Sequence, residues 1–146
     1  EARTRMQRAS YYAGVAFTRA YVGNVHALAH QLGGFYGVPH GLANAVILPY
    51  VLKYYGESVY APLAELAEPA GIAEPKDTEK QKAEKIISAI EDMNKRMNIP
   101  GKIAGIREDD IPVMAERAFG EANPLYPVPR IFSKEDFAAM YDMVRE

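Results

Sequence analysis

Gly23-Asn-Val-His26-Ala-Leu-Ala-His30-Gln-Leu-Gly33-Gly34-Phe-Tyr-Gly37-Val-Pro39-His40-Gly-Leu-Ala-Asn44-Ala-Val-Ile-Leu-Pro49 holds all three histidines of the chain. His26 and His30 are four residues apart, so on a helix they lie on one face, neighbours along the axis. The same spacing occurs in His-Glu-x-x-His sites, but no glutamate stands between these two, so that motif is absent. His40 lies 14 residues beyond His26. On one unbroken helix that separation would be about 21 Å, whereas two ligands of one ion must each bring a nitrogen to about 2.0–2.1 Å from it. His26 and His40 can share an ion only if the chain reverses between them. Gly33, Gly34, Gly37 and Pro39 are suitable material, because glycine permits positive φ and close backbone approach. We read a helix over 25–33, a glycine-rich loop over 33–39, and a further helix from Pro39 or His40. That helix carries Leu42, Val46, Ile47, Val51 and Leu52, is apolar nearly all round, and is expected at the centre of a bundle.

Spacing alone leaves two readings open. Neutral imidazole is the commonest protein metal ligand and titrates near neutrality. A histidine on an apolar face can equally be structural, its ring bonded to a backbone carbonyl. Phe35 and Tyr36 read as core or pocket wall, and Gln31 and Asn44 as capping or packing residues. Tyr11 and Tyr12 give no argument for chemistry.

Outward from this stretch the chain reads as helix after helix. Residues 2–20 form the first, with Met6, Ala9, Ala13, Ala16 and Phe17 at helical spacing, and Gly23 and Asn24 suit the break that follows. A shorter helix over 60–70 closes at Gly71, and 73–77 form a polar turn. Thr78-Glu-Lys-Gln81 resembles a capping box. It opens an amphipathic helix with Ala83, Ile86, Ile90, Met93 and Met97 on one face and a solvated, charged opposite face, ending before Pro100-Gly101. Another helix opens at Asp109-Asp-Ile-Pro112, with proline tolerated in its first turn. Residues 121–132 contain three prolines and connect to a last helix at Ser133-Lys-Glu-Asp136, with Phe137, Met140, Tyr141 and Val144 inward. No alternating strand, internal repeat or low-complexity tract is present. The fold class is all-α, a compact helical bundle.

Composition narrows the function. At 146 residues a single domain over 1–146 is expected. The apolar share is 49%, the charged share 25% and the net charge −2, with an isoelectric point near 6.0. These values argue against a nucleic-acid or membrane-surface binder, which needs a basic face. The chain has no cysteine, which excludes disulfides, thiolate metal sites and cysteine nucleophiles. No apolar run reaches the length of a membrane span. No signal peptide is read in the charged start, Glu1-Ala-Arg-Thr-Arg-Met-Gln-Arg8, and the expected location is cytoplasmic. Position 1 is not methionine, which suits a processed product or a piece of a longer chain.

The opening stretch, with Gly-x-x-His-x-x-x-His, a glycine-rich turn and then Pro-His-Gly-x-x-Asn-Ala, closely resembles the iron-containing (group III) alcohol dehydrogenases. The likeness extends over essentially the whole chain. Glu1-Ala-Arg-Thr-Arg-Met-Gln-Arg-Ala-Ser10 is similar to the helix preceding the motif. Asp109-Asp-Ile-Pro-Val-Met-Ala-Glu-Arg-Ala118, Ala122-Asn-Pro124 and Pro129-Arg130 are similar to the family's C-terminal segments. One departure is Tyr50, where relatives often carry histidine after Leu-Pro; the position is not a family ligand, but the change is expected to affect the pocket.

The resemblance implies a dehydroquinate-synthase-like fold, of which this chain is the incomplete, metal-binding C-terminal helical part, without the N-terminal nucleotide-binding domain. It implies an NAD(P)-dependent oxidoreductase that interconverts small alcohols and aldehydes by hydride transfer, with a divalent metal, Fe2+ first and Zn2+ as the alternative. Family metal sites use an Asp, a His four residues later, and two further histidines. No Asp-x-x-x-His occurs here. By position, His26 and His40 match the third and fourth metal ligands, and His30 the catalytic histidine beside substrate and nicotinamide. The isolated chain is therefore expected to be inactive, and the intact enzyme a homo-oligomer, dimer or larger. Two alternatives remain open at this level: a stand-alone, non-catalytic helical metal-binding or interaction module, and a zinc-dependent relative such as a glycerol dehydrogenase.

Overall fold

The computed structural model describes residues 1–146 and contains seven α-helices. They are α1 (Ala2–Ala20), α2 (Asn24–Tyr36), α3 (His40–Tyr55), α4 (Tyr60–Ala67), α5 (Glu79–Arg96), α6 (Ile111–Ala122) and α7 (Lys134–Val144). Short 3-10 turns, Gly56–Val59 and Glu108–Asp110, lead into α4 and α6. No strand forms; one isolated parallel bridge ties Ile103 to Arg145. The all-α expectation holds because every long segment of the chain carries a 3.6-residue apolar repeat and none alternates.

Helix α3 sits at the centre, as its all-round apolar sequence requires. It packs against α2, α5 and α7, while α2 also meets α6, α6 meets α7, and α4 meets α5. One apolar core runs through these six helices. Phe132, Phe137, Met140 and Tyr141 are fully buried beside Leu28, Leu32 and Ile47. Phe132 stacks edge-on with both Phe137 and Tyr54, and the buried Tyr141 hydroxyl donates to the Leu28 carbonyl of α2 at 3.1 Å. The four residues expected on the inner face of α7 are all buried.

Local rules set several boundaries. Thr78 and Gln81 form the reciprocal capping box at the start of α5, and Ser133 and Asp136 form a second at the start of α7. Each satisfies two backbone N–H groups that have no partner inside the helix. Pro112 lies in the first turn of α6, where its missing N–H costs nothing.

Two expectations are corrected, and one helix that forms as expected lies uncovered. Helix α2 continues through Gly33 and Gly34 to Tyr36, so the loop shrinks to Gly37–Pro39, and of the glycines expected to permit positive φ only Gly37 adopts it, at 66°. Mid-helix glycine costs roughly 0.5–1 kcal/mol each. The cost is offset by anchoring the last turn: Phe35 and Tyr36 pack on the core, the Tyr36 hydroxyl donates to Asp110 at 2.7 Å, and the Arg117 guanidinium lies over the Phe35 ring. Met93 on α5 and Met97 just past its end are exposed, whereas Ala83, Ile86 and Ile87 are buried and Ile90 packs partly buried against the core. Lastly, α1 forms where its periodicity predicts but buries none of its 19 residues. Met6, Tyr11, Tyr12, Val15 and Phe17 all stand exposed along it.

Candidate functional site

The turn at Gly37 decides the site. The left-handed Gly37 N–H closes on the carbonyl of Gly33, the chain reverses, and Pro39 caps α3. His40, first residue of α3, is thereby returned to the face of α2 that carries His26 and His30. The ring centroids of His26 and His40 lie 5.3 Å apart, those of His30 and His40 5.3 Å, and those of His26 and His30 5.8 Å. Two imidazoles that bind one tetrahedral ion at about 2.0–2.1 Å place their centroids on the order of 5 Å apart. The His26–His40 and His30–His40 spacings both meet that requirement, so distance alone does not choose between His26 and His30.

The three rings are not equivalent. The His30 ring lies nearly parallel to that of His40, at 18°, and its Nδ1 is 2.6 Å from the Glu121 carboxylate of α6. His26 has no such carboxylate bond. Burial, followed by the neighbouring His40 and His30, lowers the His26 pKa, with Glu121 opposing; neutral imidazole is the form that ligates a metal. His40 is held from its own helix by Asn44, whose amide nitrogen donates to the His40 carbonyl at 2.8 Å and lies 3.2 Å from its ring Nε2. The Asn44 Oδ1 is buried without a partner, as is that of Asn24.

His26, His40, Asn24 and Asn44 all line an open, mainly apolar cleft of about 870 Å³ between the C-terminal half of α1, the segment that follows it, and α3. His30 does not line it. The cleft thus gathers two imidazoles in a mainly apolar recess, beside two asparagines whose buried amide oxygens have no partner. No group of three or more His, Cys, Asp or Glu side chains in this chain is arranged to hold a metal ion. The donor set fits a half-site: two neutral nitrogen ligands, with a tetrahedral or higher coordination needing more.

Several residues here were invisible to sequence spacing. Glu121 is 91 positions from His30. Gln31, read as a packing residue, donates to the second Glu121 oxygen at 3.2 Å. Tyr126 donates to Glu121 Oε1 at 2.8 Å, and its own hydroxyl is pushed up to about 12 by burial and that carboxylate. A weak signal existed for Glu121 alone: it is an acidic residue near the C-terminus of a helix, where the macrodipole disfavours negative charge. The Tyr50 hydroxyl donates to the Gly101 carbonyl at 2.8 Å, and Tyr50 does not line the histidine cleft. Arg130, in a segment singled out by resemblance, is structural. Its guanidinium donates to the Tyr54 carbonyl and lies over the Tyr54 ring.

Fold and site together define a helical domain with an imidazole face built by one tight reversal. Residues 1–144 match the model of the Fe-containing alcohol dehydrogenase family, C-terminal, and the chain belongs to that family. It is 40% identical over 143 residues to 1,3-propanediol dehydrogenase of Klebsiella pneumoniae, covering 97% of this chain and 37% of that protein. It is 40% identical over 144 residues to alcohol dehydrogenase 4 of Saccharomyces cerevisiae, covering 96% and 36%. The solved structure of alcohol dehydrogenase from Oenococcus oeni superposes with a TM-score of 0.88 at 36% identity, over 98% of this chain and 38% of that one. The chain therefore spans little more than a third of the length of the relatives it matches.

Proposed function

We propose that this chain is the C-terminal helical part of a metal- and NAD(P)-dependent alcohol dehydrogenase that interconverts small alcohols and aldehydes, with its nucleotide-binding domain encoded upstream. The supporting observation is the return of His40 to His26 across the Gly37 turn, at 5.3 Å between ring centroids. His26 and His40 would hold the metal, Fe2+ in the first place and Zn2+ as the alternative, since both accept imidazole. An upstream Asp-x-x-x-His would supply the remaining ligands, entering the cleft beside α1. When bound, the ion supplies Lewis-acid polarisation of the alcohol or aldehyde oxygen, and the nicotinamide carries the hydride.

The chain's own residues then have separate tasks. His26 and Asn44-braced His40 present nitrogen donors from two helices. His30, one turn from His26, is the catalytic residue: its free ring nitrogen accepts the hydroxyl proton in alcohol oxidation and returns it in aldehyde reduction. It would also lie beside the nicotinamide.

Two imidazoles do not complete a coordination sphere, so this chain alone should bind Zn2+ only weakly and oxidise no alcohol. In a calorimetric Zn2+ titration, H26A and H40A should each weaken binding by at least about tenfold, and H30A should leave it nearly unchanged. Equal loss in H30A would overturn the division of roles. The upstream coding sequence is the second test: it should contain the Asp-x-x-x-His and a glycine-rich turn after a strand.

A further inference from the structure

The best-connected polar group near the histidines is one to which no role has yet been given. Glu121 lies on α6, and its side chain is 27% exposed. It takes donors from two other segments: His30 Nδ1 at 2.6 Å and Tyr126 hydroxyl at 2.8 Å on Oε1, and Gln31 Nε2 at 3.2 Å on Oε2. An ionised carboxylate accepts and cannot donate. The hydrogen atom in the His30–Glu121 bond therefore belongs to Nδ1. A neutral imidazole has only one N–H, so Nε2 is left as the one basic nitrogen of His30.

We propose that Glu121 is the positioning residue for His30: it holds the ring as the Nδ1–H tautomer and so reserves Nε2 for the proton of the substrate hydroxyl. The second half of the statement rests on the reading of His30 given above; the first half does not. Carboxylates behind histidines fix tautomer and orientation in the same manner in metal sites and hydrolytic triads. Tyr126 and Gln31 complete the device. They saturate the carboxylate from the side, so that it cannot rotate away without breaking two further bonds.

The test reads the tautomer directly in this chain, without metal, cofactor or turnover. Imidazole 15N–1H correlation spectra are recorded at about pH 8, above the ordinary imidazole pKa. His30 is expected to show a protonated Nδ1 and a bare Nε2. In E121M, which keeps the aliphatic bulk and removes the acceptor, His30 should revert to a mixture dominated by Nε2–H. In E121Q, which keeps an acceptor oxygen, the Nδ1–H form should be largely restored. A wild-type His30 already in the Nε2–H form, or an E121M spectrum identical to wild type, overturns the proposal. If circular dichroism shows E121M unfolded, the wild-type tautomer and the E121Q spectrum decide. The functional reading fails separately: Nδ1–H in the wild type combined with full activity of H30A in the intact enzyme would retain Glu121 as the tautomer lock and remove His30 from proton transfer.

Discussion

At the scale of single residues, the carboxylates with the most partners have the clearest consequences. Asp136 closes the capping box of α7 by accepting from the Ser133 N–H at 2.8 Å, and it also accepts from the Tyr54 hydroxyl and Arg130. Burial pushes its carboxyl up, but the bonds from Tyr54 and Ser133 and the Arg130 charge outweigh it and hold the group below the usual carboxylate range. A carboxyl depressed in the folded state contributes stability above its unfolded pKa and loses it as pH falls through the lower folded value. D136N should therefore cost about 1–3 kcal/mol near neutrality. In urea melts at about pH 7 and about pH 3, the gap between wild type and D136N should narrow in acid. A gap of constant size would show that the charge contributes nothing. Glu121 belongs to the same class of residue, with its partners recruited from α2 and from the connection that follows α6.

At the scale of elements, the α2–α3 turn carries the site, and its glycines are not interchangeable. Gly37 has φ of 66°, a conformation that costs an L-residue roughly 1–2 kcal/mol. Gly34 is helical, with open space where a side chain would go. G37A should lower stability by about 1–2 kcal/mol and weaken Zn2+ binding, because the reversal that returns His40 to His26 is strained. G34A should stabilise by about 0.5–1 kcal/mol and leave the metal titration alone. Thermal melts and the same titrations check both. Loss of metal affinity in G34A would mean that the helical stretch 33–36, rather than Gly37, sets the ring geometry.

At the scale of the whole molecule, burial is uneven. Six helices share one core, whereas α1 buries nothing and exposes Met6, Tyr11, Tyr12, Val15 and Phe17. Segments with few buried contacts open at low free energy, so limited trypsinolysis should cut first at Arg3, Arg5, Arg8 or Arg19. The fragment beginning near Tyr21 should resist, as mass spectrometry would show. First cuts inside α5 or α6 would contradict this ordering. No helix is long and apolar enough to cross a membrane.

Much of this protein was determined by sequence alone, because the deciding interactions are short-range. Helical periodicity, the capping box at Thr78, the helix start at Ser133, Pro112 in a first turn, and the inner face of α7 each follow from residues within four positions of one another. The spacing of His26 and His30, and the need for a reversal before His40 could join them, were legible for the same reason. Tertiary structure alone decided the rest. It extended α2 through two glycines, since packing of Phe35 and Tyr36 outweighs propensity. It left α1 uncovered, because periodicity states which face is apolar and not what meets it. It also set Glu121 against His30 from 91 residues away; such a pairing depends on how α6 packs across α2, and no local rule encodes that.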